Sequence, residues 1–380
     1  MIFEKDLLYP VLDRRVFKEA KTLKDNGYEV TIITWAMRMN KSEFPSSYYM
    51  DGIKVIRIFQ KVVSPDKPNI LKLPPFIILF YKTFLMLLEM KPDFIHCHDS
   101  FPLLVSYLGA KFTKAKLIYD SHELNPHREE PKVFLKFFDI SEKIALKKIN
   151  YIITANESRK LFMKKHIKER KKYSVLNNYP NLAKTENSIK KTEPDNIVRF
   201  LYQGGVSTQR GIDNILLAIS DLKELRFTFE IYGMYRPNKE KYITLVEKYN
   251  LKDKVILNDA IPIEDLEKKM KSVDVGLVSI LNTSLNNYYC APNKLYDYMK
   301  AGVVILGPSF PHMKEEIEKN EIGFCCDFED INSIKKAFIR IIKNKENLTD
   351  MKGKAFSLYQ NKCNWQAQEN ELLNIYKGMK

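Results

Sequence analysis

The chain has 380 residues, 45% of them hydrophobic, with 13 Gly and 17 Pro, an ordinary globular composition at a length suited to two domains rather than one. Its formal net charge of +15 favours an anionic partner but does not choose among nucleic acid, anionic lipid and a phosphorylated substrate. The five Cys (97, 290, 325, 326 and 363) lack paired or metal-type spacing, which reads as reduced thiols in a cytosolic protein and not as a disulfide framework.

No signal peptide is visible at the N-terminus. MIF gives only a weak strand signal before a loop. Asp13 to Asn26 reads as a basic amphipathic helix with Val16, Ala20 and Leu23 at helical spacing, stopped by Asn26-Gly27. YEVTIITW is a buried strand, Ser42 to Gly52 a loop, and IKVIRIF a second strand. Phe76 to Met90 is the most apolar stretch, but Lys82 and Glu89 interrupt it and it is too short to span a bilayer comfortably. It reads as a buried helix with one solvated edge, with a membrane-surface helix as the alternative. Strands at 94–97, at AKLIYD and at NYIITAN follow, with helices between them, including a long one from Val133 to Lys148. The polar groups His98, Asp99, His122, Glu123, Asn156 and Glu157 all come just after strands. In a doubly wound parallel sheet that is the edge where ligands bind.

Asn181 to Asn196 is polar and without apolar periodicity, which predicts a linker. The second half then restarts the alternation: VRFLYQGG, FTFEIYG, KVILND, VDVGLVSI, VVILGPS and IGFCCDF read as strands, with helices between them and at the C-terminus. The expected boundaries are 1–182, 196–358 and a C-terminal helical segment at 359–380 packing back on the first domain. Two such α/β halves predict a clam-shell with a ligand cleft.

Two strand–loop–helix junctions in the second half carry chemistry. In QGGVSTQRG, Gly204-Gly205 allow a tight turn and close backbone approach to a ligand, and Arg210 offers a planar fork to phosphate oxygens. The glycine spacing is not that of the dinucleotide fingerprint. In APNKLYDYMKAG, Pro292 suits a helix start, Leu295, Tyr298 and Met299 form an apolar stripe, and Gly302 takes the C-terminal cap. Lys294 in the first turn opposes the helix dipole, so stability alone would place an acid there. Each motif taken by itself is equally an ordinary surface turn or helix. Together they offer backbone N–H groups and two cations, enough to grip a diphosphate without a metal.

In this order the segments resemble those of GT-B fold glycosyltransferases, close to the group 1 or family 4 retaining enzymes, over nearly the whole chain. The carriers are DRRVFKEAKTLKDNGYEVTIITW, FIHCHDS, LIYDSHELNP, VLNNYPN, FLYQGGVSTQRGIDNILLAI and APNKLYDYMKAGVVILGPS. The resemblance implies two Rossmann-like doubly wound domains facing across a cleft, the first binding acceptor and the second a nucleotide-diphosphate sugar. By the same resemblance Arg210 binds the donor diphosphate and Asp297 the nucleotide ribose. Gly204 and Gly205 belong to the donor site, and Asn293 and Lys294 look like a replacement set there, Lys294 standing in for a basic residue that the family's loop carries and this one lacks. His122 is implied as a neutral imidazole touching donor sugar or acceptor and titrating near neutral pH. Glu123 and Asp99 orient the acceptor. His98 reads as structural, and His96 and His127 carry nothing beyond residue type. The chain departs from the family pattern at three places, the first being the GGVSTQ loop, which lacks the second usual basic residue before Arg210. Tyr289 stands where relatives carry the first of two Glu, and MIFEKDLLYP lacks the full strand and Gly-rich loop of the usual start. Either the loop is remodelled or the chain starts late relative to its relatives, and a late start would leave the first domain without a central strand.

The implied reaction is transfer with retention to a glycan or lipid-linked acceptor, in cell-surface polysaccharide or glycolipid synthesis, with neither cofactor nor metal. Alternatives are a sugar-nucleotide epimerase of the same fold and a catalytically silent binding subunit. The basic charge is spread along the chain without a recognition motif, so nucleic acid is not an expected partner. KVFLKFFDISEKIALKKIN would suit docking on an anionic membrane, giving a cytoplasmic protein peripheral to the inner face.

Overall fold

Buried apolar runs alternating with amphipathic segments build two parallel sheets, each in its own compact unit. A computed structural model describes residues 1–8, 12–36, 42–60, 73–124, 132–167, 171–182 and 195–379. The first unit comprises Met1–Asn178 with Gln368–Lys380, and the second Tyr179–Ala367. Most of the expected linker lies outside the described residues.

The first unit holds β1 (Ile2–Phe3), β2 (Thr31–Ala36), β3 (Ser47–Met50), β4 (Ile53–Phe59), β5 (Phe94–His98), β6 (Lys116–Ser121), β7 (Ile149–Thr154) and β8 (Lys172–Val175). They form one sheet in the order β3-β4-β2-β1-β5-β6-β7-β8. Every pair is parallel except β3 against β4. β1 is only two residues long, yet it fills the central place between β2 and β5, with Ile2 opposite Ile33 and Cys97. The central strand is thus present despite its weak signal in the sequence. Its two side chains are buried, and burial on both faces is what a central parallel strand requires. β3 lies inside the stretch expected to be a loop. Its side chains alternate between exposed and half-buried, as an edge strand with one wet face should.

The helices of this unit are α1 (Arg14–Asp25), α2 (Leu73–Met90), α3 (Leu103–Thr113), α4 (Lys132–Leu146) and α5 (Glu157–His166). The Asp13 carboxylate caps α1 by accepting the N–H groups of Arg15 and Val16. α1 buries Val16, Ala20 and Leu23 as their spacing predicts, and also the charged Arg15 and Glu19. In α2, Leu79, Thr83 and Leu87 are buried, while Ile77 and Tyr81 are 65% and 62% exposed. The solvated edge thus carries apolar side chains beside the exposed Lys82 and Glu89. Among the described residues no helix is long and apolar enough to cross a membrane.

The second unit holds β9 (Val198–Val206), β10 (Phe227–Tyr235), β11 (Val255–Asp259), β12 (Val275–Leu277), β13 (Val304–Pro308) and β14 (Gly323–Cys326). The order is β11-β10-β9-β12-β13-β14 and all pairs are parallel. Its helices are α6 (Ile212–Ile219), α7 (Glu240–Lys248), α8 (Ile263–Met270), α9 (Leu285–Tyr288), α10 (Asn293–Ala301), α11 (Pro311–Ile317), α12 (Ile331–Lys343), α13 (Leu348–Asn361) and α14 (Trp365–Lys377), the last running on into the first unit's residues. Phe200 and Tyr202 of β9 pack with α6, α7 and α12, whereas Leu201 between them packs with α10 and α11. That alternation is the period-2 signature of a sheet covered on both faces. Tyr376 of α14 lies in the first unit, its ring 5.0 Å from Phe94 and 5.3 Å from Tyr28.

α10 can sit close to the sheet because β12 offers Gly276 beneath it. A Cβ on Gly276 would fall 2.5 Å from the buried Tyr298 ring. We expect Gly276→Ala to destabilise the protein by about 1–3 kcal/mol through overpacking. A guanidinium denaturation midpoint equal to that of the wild type would show that α10 has room to spare.

Candidate functional site

In the second unit the candidate residues gather where β9 and β12 end and α10 begins. Gly204 and Gly205 do not form the expected turn. Both belong to β9, opposite Gly233 and Met234 of β10. A Cβ on Gly233 would lie 1.8 Å from the Gly204 carbonyl oxygen, so glycine there lets the two backbones close. Gly204 itself has φ +115°, and a side chain at that position would meet Lys294 Nζ at 3.4 Å. Gly205 faces open space. The turn comes later, as a 3-10 turn over Thr208–Arg210 followed by Gly211 at φ +65°, where α6 starts. Ser279, just beyond β12, donates its hydroxyl to the Arg210 carbonyl, and Leu281 N–H donates to the Gln209 carbonyl at 3.2 Å. These bonds tie the Arg210 turn to the end of β12.

α10 begins at Asn293, with Pro292 as the residue before its first turn and Gly302 in the left-handed cap. Leu295, Tyr298 and Met299 are buried as expected, and Tyr296 with them. Asn293 is exposed and Asp297 half-buried. Lys294 does not extend into solvent. Its ammonium donates to the Gln203 carbonyl at 2.7 Å and lies 4.1 Å from the centre of the Tyr202 ring. Burial first, and then the nearby Arg210 charge, bring its pKa down to about 7, while Asp297 opposes the shift. An ammonium on a carbonyl and a ring face, repelled by a second cation, is an unfinished electrostatic arrangement that an anion would complete. Tyr289 closes the short helix α9, its ring edge-on to Tyr288 at 4.9 Å.

In the first unit the polar groups sit at the ends of β5 and β6. Asp99 follows β5 in the left-handed region, at φ +63°, which an Asp tolerates better than most residues. Its N–H donates to the Asp120 carbonyl at 2.9 Å. Its carboxylate accepts the His122 N–H at 3.0 Å and stands 3.3 Å from His122 Nδ1. Asp120 of β6 takes the other side of the ring, with Oδ2 2.9 Å from Nε2. Both ring nitrogens therefore face carboxylates, and the neutral imidazole expected from the sequence is not what this geometry favours. Burial by itself lowers the His122 pKa, but Asp99 and then Asp120 outweigh it and push it up to about 9. Glu123 is exposed, and its carbonyl rather than its side chain takes part, accepting the Ser121 hydroxyl at 3.1 Å. The fold brings Asp99 and His122 together and leaves the Glu123 carboxylate facing solvent. His127 lies outside the described residues.

Behind this pair stands a network that spacing along the chain does not reveal. Arg15 of α1 forks onto Asp120, Nε to Oδ2 at 2.8 Å and Nη2 to Oδ1 at 2.6 Å, and its Nη1 donates to the Leu176 carbonyl at 2.6 Å. Burial alone would raise the Asp120 pKa, but Arg15, followed by His122, holds it well below the usual carboxylate range. Arg159 of α5 donates to the His122 carbonyl. Glu19, His96 and His98 surround Asp120, and Glu4 stands near Asp99 with its pKa raised to about 8 by burial and then by that carboxylate. One clue was available in the sequence. Arg15 and Glu19 are charged residues four apart on the face that also carries Val16, Ala20 and Leu23, where solvated charges do not belong.

Residues 12–183 match the family model described as Glycosyltransferase Family 4, and residues 183–357 that described as Glycosyl transferases group 1. No curated protein is a significant match to the sequence. Among solved structures, sucrose-phosphate synthase from Thermosynechococcus elongatus is 16% identical with a TM-score of 0.75, over 96% of this chain and 92% of that one. A glycosyltransferase from Rickettsia africae is 16% identical with a TM-score of 0.72, over 100% and 97%. HepE from Anabaena in complex with UDP is 11% identical with a TM-score of 0.70, over 99% of each chain. At these identities the structures speak for the fold alone. The two family models, meeting at residue 183 and together covering residues 12–357, carry the assignment: this chain belongs to the GT-B glycosyltransferases of the group 1 and family 4 type.

Proposed function

We propose that the enzyme transfers a sugar, with retention of anomeric configuration, from a nucleotide-diphosphate sugar to a glycan or lipid-linked acceptor. The observation that carries the donor half is Lys294, whose buried ammonium rests on a carbonyl and an aromatic ring beside Arg210. In this reading the diphosphate settles against Arg210 and Lys294 at the start of α10, and these cations stabilise the charge that develops as it leaves. Gly204 and Gly205 let the donor approach the backbone, Asn293 reaches the sugar, and Asp297 takes the ribose. His122 is assigned to the catalytic set and, with Asp99 and Glu123, to the acceptor, its ring fixed in orientation by two carboxylates. No cofactor is assigned. HepE has been solved with UDP and with UDP-glucose, which supports a nucleotide sugar as donor here. WaaB, a lipopolysaccharide outer core galactosyltransferase, and WaaG, involved in lipopolysaccharide biosynthesis, share the fold, which supports a role in cell-surface glycan synthesis. The net charge and the exposed Ile77 and Tyr81 support peripheral contact with an anionic membrane on the cytoplasmic side. A silent binding subunit is the second reading, favoured by Tyr289 in place of an acid.

Thermal-shift screening against UDP-, GDP- and ADP-sugars should single out one nucleotide class, because a ligand that binds only the folded protein raises its melting temperature. With that donor and an extract of glycans and glycolipids, acceptor-dependent release of the nucleotide is expected. Donor binding with no release under any acceptor would favour the silent subunit.

Lys294→Met should weaken nucleotide-diphosphate binding by about 1.5–3 kcal/mol, the range for a hydrogen bond to a charged group, with the fold intact by circular dichroism. Calorimetry on the wild type should also show affinity falling as pH rises above about 7. Below that pH the ammonium is already charged. Above it, binding must first protonate the amine, at about 1.4 kcal/mol per pH unit. An affinity flat with pH, and unchanged in the variant, would remove Lys294 from the donor site.

A further inference from the structure

Four side chains from three elements converge in the interior of the first unit: Glu19 of α1, His96 and His98 of β5, and Asp120 of β6, each at most 1% exposed. One donor atom from each lies within 4.8 Å of all the others. Glu19 is ion-paired with Arg15 Nε at 3.1 Å and stands 3.5 Å from His96 Nε2. Even so, both Glu19 carboxylate oxygens, His96 Nε2 and His98 Nε2 are buried without a hydrogen-bond partner. Arg15 answers for one Glu19 oxygen, but buried polar atoms are nearly always hydrogen-bonded, so the two imidazole nitrogens beside that carboxylate call for a physical cause. The other nitrogen of each ring is fixed. His96 Nδ1 is 2.8 Å from the Tyr376 hydroxyl, and His98 Nδ1 is 3.2 Å from the Asp120 carboxylate. Histidines that ligate metals are held in just this manner, one nitrogen anchored by a polar partner and the other left for the ion. The two rings also stack at 4.4 Å.

We propose that Glu19, His96 and His98 form a structural site for a divalent transition-metal ion, with His96 Nε2, His98 Nε2 and the Glu19 carboxylate as ligands and Asp120 behind His98, holding its other ring nitrogen. Two imidazoles with carboxylates suit zinc, cobalt or manganese better than magnesium or calcium. Glu19 Oε2 and His96 Nε2 already stand 3.5 Å apart, within the roughly 4.4 Å that two donors about 2.0–2.2 Å from one ion can span. A proton shared between the Glu19 and Asp120 carboxylates is the competing account of this cluster. The orphaned imidazole nitrogens favour the ion, because a shared proton would leave both unpaired. The ion ties α1 to β5, while Asp120 of β6 braces both His98 and His122. It needs no part of the transferase reading.

The test uses the full chain, stripped with a chelator, dialysed and titrated with Co2+ while its visible absorption is recorded, with melting curves in Zn2+ alongside. One Co2+ per chain is expected, with the intense bands of a low-coordinate nitrogen and oxygen site, and Zn2+ should raise the melting temperature. Glu19→Gln and His98→Gln should each weaken Co2+ binding at least tenfold. His312→Gln, which alters a buried histidine of the second unit bonded to Tyr296, should leave it unchanged. A wild type that shows neither band nor thermal shift overturns the proposal in favour of the shared proton, and this result decides even if the cluster variants do not fold. Binding that persists in folded Glu19→Gln and His98→Gln also overturns it, since the ion would then sit elsewhere.

Discussion

Every strand that carries a candidate residue runs parallel to its neighbours, so in each unit the ends of those strands emerge along one edge of their own sheet. Parallel pairing requires a crossover after each strand, and the crossover puts a loop and a helix start at that edge. The Arg210 turn after β9, Ser279 after β12, Asp99 after β5 and His122 after β6 all arise from this rule. Without it Asp99 and His122, 23 residues apart in sequence, would have no reason to share a hydrogen bond. The glycines at the edge serve the same end, since Gly233 lets β10 close on β9 at Gly204.

The two units solve opposite electrostatic problems. In the second, two cations are kept close together: Lys294 rests on a carbonyl and an aromatic face, with Arg210 near enough to lower its pKa and Asp297 opposing that shift only in part. Such a site stores affinity for whatever anion arrives. At the first unit's site buried carboxylates crowd together, with Glu4, Glu19, Asp99 and Asp120 all inside. Asp120 is satisfied four times over by Arg15, His98 and His122, while Glu19 and Glu4 are both left with pKa values raised to about 8, chiefly by burial. Buried charge networks of this kind add little net stability for their desolvation cost, but they fix geometry. Here they fix the His122 ring on both nitrogens, so its orientation is set before any ligand binds.

Much of this protein was determined by the sequence alone. Alternating apolar runs and helical stripes located nearly all the strands and helices, because local periodicity reports which side of an element faces the core. Lys294 could be singled out because a cation at a helix start works against the dipole, and Arg210 because it ends a glycine-containing loop. Tertiary structure decided the rest. β1 is too short to show a period, and only its place between β2 and β5 makes it the central strand. Gly204-Gly205 look like a turn from composition, but pairing with β10 keeps them in the strand. The sequence implied a neutral His122, whereas the fold sets a carboxylate on each side of it. The cluster of Glu19, His96, His98 and Asp120 could not be foreseen, because its members are spread over about a hundred residues and no spacing rule joins them. Periodicity is local, whereas charge compensation depends on which strands the chain brings side by side.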